Sequence, residues 1–338
     1  METSYRLIHR VVPYSHEDVI GFLSRAAERN HLWGPATLLE TLAGTAHTTV
    51  SVNDLPRLAY LCLNHLQELL PLSGIERRGT GGERAWQIGG EWVTKASFLS
   101  ARHVKLCPHC LAQAPYLRGV WSLSFYIACA HHRISLIDRC PGCRRALKWD
   151  RRYVTHCNCG YDLTQAPTKA AQPAAILAAQ LFALRSEEGL TFETGVLPLR
   201  ELERLANLSL DGLCKTLWFL GHCLAELGHY GAGHGLMRPR AQSAAAILEN
   251  ALMLLSVWPH SLGDMLGRLA RRLPPDSPID LVDRLMRPVN NYLHEDLQTD
   301  ELAFLGRAYE QHLQLLWRSF GRLPWRKDSE RQLRLELH

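Results

Sequence analysis

Apolar positions fall at helical spacing through most of the chain, and the interruptions are as informative as the runs. Val19, Phe22, Leu23 and Ala26 recur at i, i+3, i+4 and i+7, the stripe of an amphipathic helix. Ser15, followed three residues later by Asp18, gives that helix an acidic start resembling a capping box. Gly34-Pro35 breaks the run, and a second short helix is expected from Ala36 to Leu42. The pair reads either as a plain helical hairpin or as a helix-turn-helix. Asn53 is a good N-cap with Pro56 in the first turn, and Leu58, Leu61, Cys62, Leu66 and Leu69 form one stripe ending before Pro71. Cys62 lies on that apolar face with no second cysteine nearby and reads as a small core residue.

The stretch RRGTGGERAWQIGG breaks the helical pattern and predicts a turn or small hairpin. Its glycines resemble a phosphate loop, but the Lys-Ser/Thr that such a loop needs is missing. Helical patterning returns after a small, polar, proline-containing segment, APTKAAQPAA, which reads as a linker. Leu202 and Leu205, an Asn207-Leu208-Ser209 turn and a helix from Leu210 to Leu227 make a second helix-turn-helix candidate. Cys214 and Cys223 within it are nine apart, a spacing for packing rather than for a metal. GHYGAGHG reads as a loop. Further helices are expected from Ala244 to Trp258, stopped by Pro259, from Leu262 to Leu273, and from Asp300 to Phe320, before a highly charged tail.

Composition adds little to this picture but removes some alternatives. Among 338 residues, 46% are apolar and 21% charged, as in ordinary globular proteins, and the length favours two or three domains. Leu, Ala and Arg recur while Val, Ile and Thr are sparse, which favours helix over strand. The first residues lack an apolar core of signal-peptide length, and the run PAAILAAQLFAL is too short to span a bilayer, so a cytoplasmic protein without a membrane partner is expected.

The chemistry concentrates in one segment. Cys107-x2-Cys110 is followed, eighteen residues on, by Cys129-x2-His132; Cys140-x2-Cys143 is followed, thirteen residues on, by Cys157-x-Cys159. Each set supplies four soft or borderline donors in two pairs, the pattern of a closed tetrahedral zinc site, so two structural zinc ions are expected. His131, beside His132, and His109, inside the first knuckle, compete for the fourth position of the first site; His132 matches the knuckle spacing best. His156 could compete at the second site, where four cysteines already suffice. Four protein donors leave no open water position, and the chain has no H-E-x-x-H, G-x-S-x-G or Walker motif, so an enzyme is not expected. Arg139, Arg144, Arg145, Lys148, Arg151 and Arg152 crowd fourteen residues opposed only by Asp150, with Trp149 and Tyr153 interleaved. Such a patch suits a phosphate backbone, an acidic protein, or plain solvation.

Several segments together resemble the TniQ/TnsD family of transposition target-selection proteins. They are PYSHEDVIGFLSRAA (Pro13 to Ala27); CPHC, then Tyr116-Leu117-Arg118 and Trp121; CAHH, the Ile134–Ile137 run, Asp138-Arg139 and CPGC; CNCGYDL; and ALMLLSVWPHSLGDMLGRL. The resemblance implies a non-catalytic adaptor that marks an insertion site and recruits an AAA+ transposition regulator. It implies recognition either of attachment-site DNA or, often as a homodimer, of a CRISPR effector complex with its guide RNA. The alternative is a stand-alone, sequence-specific DNA-binding regulator using zinc and helix-turn-helix elements. The expected fold is mainly α: helical, helix-turn-helix-like N- and C-terminal units (1–100 and 167–338) flanking a tandem zinc-knuckle or zinc-ribbon region (101–166).

Overall fold

The structure, a computed structural model, describes residues 6–43, 49–100, 103–184, 195–223, 241–264, 267, 292–293 and 297–320. Helices account for about half of these residues, and a small sheet joins them. Two compact units are distinguished, 1–194 with 236–245, and 195–235 with 246–338.

The first unit begins with α1 (Val19–Arg29) and α2 (Pro35–Ala43). The cap of α1 falls on Asp18 rather than on Ser15: its backbone is extended and its carboxylate accepts from the Ile20 N–H at 2.9 Å. Helix α1 ends before Gly34, because His31 takes the left-handed conformation (φ 59°). His31 N–H then donates to Glu28 O and Leu32 N–H to Ala27 O, the two bonds of a Schellman motif.

The same device splits the stripe expected as one helix. Leu63 is left-handed (φ 60°), and the Leu63 and Asn64 N–H groups donate back to Tyr60 O and Ala59 O. Helix α3 (Leu55–Leu61) therefore stops, and a single turn, α4 (Leu66–Leu69), starts in a new direction. Ahead of α3, Ser51 and Asp54 cap a short 3-10 turn (Val52–Asp54), so the cap lies two residues before the expected Asn53.

The glycine-rich stretch forms a hairpin, and a third strand follows. Strands β1 (Ile75–Arg78), β2 (Arg84–Ile88) and β3 (Glu91–Val93) make an antiparallel sheet in chain order. Gly89 and Gly90 both have positive φ (59° and 88°), as a two-residue type I′ turn requires. The hairpin agrees with the turn or small hairpin expected here, and β3 adds a strand to it; Ala85, Trp86 and Ile88 of β2 are buried. Val19, Phe22, Leu23, Ala26, Leu58 and Ile75 are among the residues that close the core between helices and sheet. Cys62 is buried in it, and burial pushes its thiol up to about 12.

Helix α5 (Pro108–Gln113) opens the cysteine-rich segment, and α6 (Pro173–Ala183) follows it. Every residue of α6 from Ala175 to Ala183 is buried, as expected of a helix apolar all round. The stretch between them read as a linker is instead paired: Ser135 N–H donates to Lys169 O and Ala171 N–H to Arg133 O.

The second unit contains α7 (Leu199–Ala206), α8 (Leu210–Trp218), α9 (Ala241–Ser256) from Ala246 onward, and α10 (Ala303–Phe320). A three-residue turn joins α7 to α8, and Ser209 caps α8 through its Oγ, which accepts from Gly212 N–H at 3.0 Å. Glu301 accepts from Ser209 N–H and Oγ; a Cβ at Gly212 would lie 2.6 Å from Glu301 Oε1, so only glycine admits this contact. The end of α8 widens into a π-helical turn (Phe219–Cys223). There Gly221 lets the helix reach Ile247, whose carbonyl oxygen would lie 2.0 Å from a Cβ. Cys214 is buried. GHYGAGHG, the end of the helix expected to reach Leu227, most of the Leu262–Leu273 helix and the charged tail lie outside the described residues. Among the described residues no helix is long and apolar enough to cross a membrane.

Candidate metal centres

Two groups of four side chains converge: Cys107, Cys110, Cys129 and His132, and Cys140, Cys143, Cys157 and Cys159. Within each group all ligand atoms lie within 4.8 Å of one another. In the first, His132 Nδ1 is 3.5, 3.3 and 3.5 Å from the sulfurs of Cys107, Cys110 and Cys129, and the Cys110 and Cys129 sulfurs are 3.5 Å apart. In the second, Cys140 and Cys159 sulfurs are 3.6 Å apart, and Cys143 and Cys157 sulfurs 3.8 Å. A tetrahedral ion bound at about 2.3 Å to sulfur and about 2.0 Å to nitrogen sets its ligand atoms roughly 3.5 Å apart. Both donor sets fit such an ion.

Local backbone chemistry aims the ligands. Cys107 is the N-cap of α5, and its sulfur accepts from Cys110 N–H at 3.5 Å, so the first two ligands sit on one helical turn. The other knuckles are tight turns with a left-handed residue just after the second ligand. Arg133 (φ 56°) donates to Cys129 O, Arg144 (φ 60°) to Cys140 O, and Gly160 (φ 88°) to Cys157 O. Antiparallel pairing braces these turns: Ala128 with Ser135, Arg139 with Ala146, and His156 with Asp162. Gly142 is required within its knuckle because the Tyr161 ring lies 2.8 Å from where its Cβ would be.

Crowded thiols cannot all ionise alone. Side-chain hydrogen bonds from Cys107 and Cys110 hold Cys129 far below the ordinary thiol range, while the same contacts push Cys110 far above it. In the second group burial pushes Cys157 up to about 12, and a backbone bond from Tyr161 brings exposed Cys159 down to about 7. A divalent cation removes this conflict by stabilising every thiolate at once. The remaining histidines stand apart: His131 and His109 are exposed, with rings 6.5 and 5.2 Å from that of His132, and His156 bonds Thr155 Oγ1.

The two groups are joined by the paired segment from His132 to Cys140. Leu106 and Ile137 exchange two backbone bonds of 3.0 Å, and Val104 N–H donates to Leu147 O. Lys105, which sequence reasoning passed over, is 5% exposed and donates its Nζ to the carbonyls of Leu123, Ser124 and Tyr126. Burial brings its amine down to about 7. No sequence signal marks it, since a lysine between Val104 and Leu106 looks solvent-facing.

The first group is also tied to α1. Asp18 N–H donates to Leu117 O, Gly119 N–H to His16 O, and Tyr14 stacks on Tyr116 with centroids 4.3 Å apart. Glu17, fully buried, takes a two-point bond from Arg25 at 2.7 and 2.6 Å. Two sequence motifs a hundred residues apart thus meet in one place.

Of the six basic residues singled out, Arg139, Arg144, Arg145, Lys148 and Arg152 are exposed. Arg151 is not part of that surface: it is 3% exposed, and its NH2 donates to Val154 O. Arg139 NH1 reaches Arg144 O, and Arg152 lies over the rings of Trp33 and Tyr153 at 4.8 and 5.2 Å.

The TniQ family model matches residues 8–136, a span that holds α1 to α5 and the complete first group but ends before the second. No curated protein matches the chain.

Proposed function

We propose that the chain, whose residues 8–136 match the TniQ family model, is a non-catalytic target-selection adaptor for DNA transposition of that family. In this reading it links a target-recognition component to an AAA+ transposition regulator. The carrying observation is the family match over the N-terminal helices and the first metal group, which the Asp18–Leu117 and Gly119–His16 backbone bonds tie together. The recognition component is either attachment-site DNA or a CRISPR RNA-guided effector, and the adaptor acts as a homodimer in the second case.

Zinc is the ion that suits both centres. Three thiolates with one imidazole, or four thiolates, are the donor sets of structural zinc, and each fills a tetrahedron without an open position for water. When bound, the ion supplies folding energy and charge neutralisation; the chain's own part is to hold the knuckles and present Arg139, Arg144, Arg145, Lys148 and Arg152. These residues are the proposed contact to nucleic acid or an acidic partner, and Arg151 supports them from below through Val154.

One feature favours the alternative of a stand-alone zinc and helix-turn-helix regulator: α7 and α8 are joined by only three residues with a capped second helix. Co-purification decides between them. The adaptor is expected to retain an AAA+ regulator from its own element, and an RNA-guided effector where the element encodes one. Tight, sequence-specific DNA binding with no retained regulator would contradict the adaptor and support the regulator.

A further inference from the structure

Trp33 is 75% exposed, the only tryptophan among the exposed large apolar side chains of the described residues. It does not stand alone. The Arg152 guanidinium lies 4.8 Å from its ring centroid and 5.2 Å from that of Tyr153, and Tyr153 meets His156 edge-on at 5.9 Å. Two chain segments far apart in sequence thus bring together two exposed rings, Trp33 and Tyr153, with a cation beside both and half-buried His156 next to the second.

The pair is held in place. Trp33 follows the Schellman turn of α1, and Asn30 fastens that turn by accepting from the Ile8 and His9 N–H groups at 2.9 and 2.8 Å. Gly34 (φ 132°) presses on the second knuckle, where a Cβ would stand 2.9 Å from Arg151 O. Glu28 accepts from Val154 N–H at 3.3 Å. An exposed tryptophan on a loop pinned at three points loses little conformational entropy when something stacks on it.

Which partner has flat faces and negative charge together? Duplex DNA keeps its base faces inside the stack, and a carboxylate-rich peptide such as polyglutamate offers charge without rings. An unpaired nucleotide offers both, and stacking on aromatic side chains and arginine is how single strands are held. Resting on the reading of the second knuckle as a recognition element, we propose that Trp33, Arg152 and Tyr153 form a stacking site for an unpaired nucleobase. Exposed Arg144, Arg145 and Lys148 of the same knuckle take the adjoining phosphates. The strand is RNA or displaced single-stranded DNA; the site reads the chemistry that they share.

The test is fluorescence anisotropy on the full-length, metal-loaded chain with labelled oligo-U, oligo-dT, a duplex of equal length and a polyglutamate peptide. Single strands are expected to bind more tightly than the duplex. Trp33→Ala is expected to weaken single-strand binding about tenfold without changing its salt dependence, and Trp33→Phe to restore most of it. The paired change Arg144→Ala, Arg145→Ala is expected to lower the salt slope by about one to two. Preference for oligo-U would assign the strand to RNA, and preference for oligo-dT to DNA. Metal content and near-ultraviolet circular dichroism show that each variant is folded. Unchanged binding in Trp33→Ala and Arg152→Ala, equal loss on duplex and single strand, or Trp33-dependent binding of polyglutamate alone would overturn the site. Regulator capture is read on the same preparations. A chain that captures the regulator yet ignores single strands overturns the stacking site and leaves the adaptor reading standing.

Discussion

The two metal groups have the same number of donors and the same kind of turns, yet they sit in opposite surroundings. Cys107, Cys110 and Cys129 of the first are at most 2% exposed. In the second only Cys140 is buried, and Cys159 is exposed. The knuckle itself does not decide this, since Arg133 and Arg144 follow their turns with almost equal φ. What differs is the surroundings: the first group's second turn is bonded to buried Tyr126, whose hydroxyl accepts from Ala130 N–H, whereas exposed Arg144, Arg145 and Lys148 stand beside the second. One donor group is thus part of the hydrophobic core, and the other lies at a surface. The family match follows the same line, covering the first and stopping before the second.

The largest effect should come from the buried group. Cys110→Ser removes one donor where no solvent can replace it. Structural zinc contributes on the order of 10 kcal/mol, comparable with the whole stability of a domain. The expected outcome is loss of near-ultraviolet dichroism together with loss of metal from both groups. Next is Lys105→Met, which takes the Nζ donor from three buried carbonyls, of which Leu123 O keeps the Tyr126 N–H while Ser124 O and Tyr126 O lose theirs. At about 1–3 kcal/mol for each unsatisfied group that finds no other partner, urea unfolding should show a fall of about 3 kcal/mol or more. Cys159→Ser should lose a single ion and leave the first group and the core folded, read as one retained equivalent by metal analysis. If it instead unfolds the unit as Cys110→Ser does, the contrast between the two groups fails.

A smaller effect concerns Asp18, whose burial raises its carboxyl from 3.8 to about 7. The folded state binds the proton more tightly than the unfolded one. This contribution to stability is present in full below about pH 4 and is lost as pH rises through about 7. Asp18→Asn keeps the helix cap but cannot ionise. Its melting temperature relative to the wild type should therefore climb between pH 4 and pH 7. A flat difference would show that the cap bonds hold the carboxylate as well as burial disfavours it.

What was legible in the sequence was chemistry set by neighbours along the chain. Cysteine spacing picks out the eight side chains that converge, and paired glycines mark the hairpin turns. The helix from Val19 and the helix near Leu210 follow their apolar spacing. What was hidden depends on contacts from afar. Nothing in RLAYLCLNHLQEL announces that Leu63 will turn left-handed, because a Schellman motif there uses leucine in place of glycine. Arg151 and Lys105 look like surface residues until their burial is seen. The residues read as a linker near Lys169 find partners only once Arg133 to Ser135 has turned to meet them.

The inequality of the two centres is tested most directly by timed metal release to a coloured chelator, with near-ultraviolet dichroism followed in parallel. The account predicts two separated phases of one equivalent each, one for each four-donor group. The first should leave the dichroism of the core intact, and the second should coincide with its loss. A single phase that releases both ions as the dichroism collapses would contradict it.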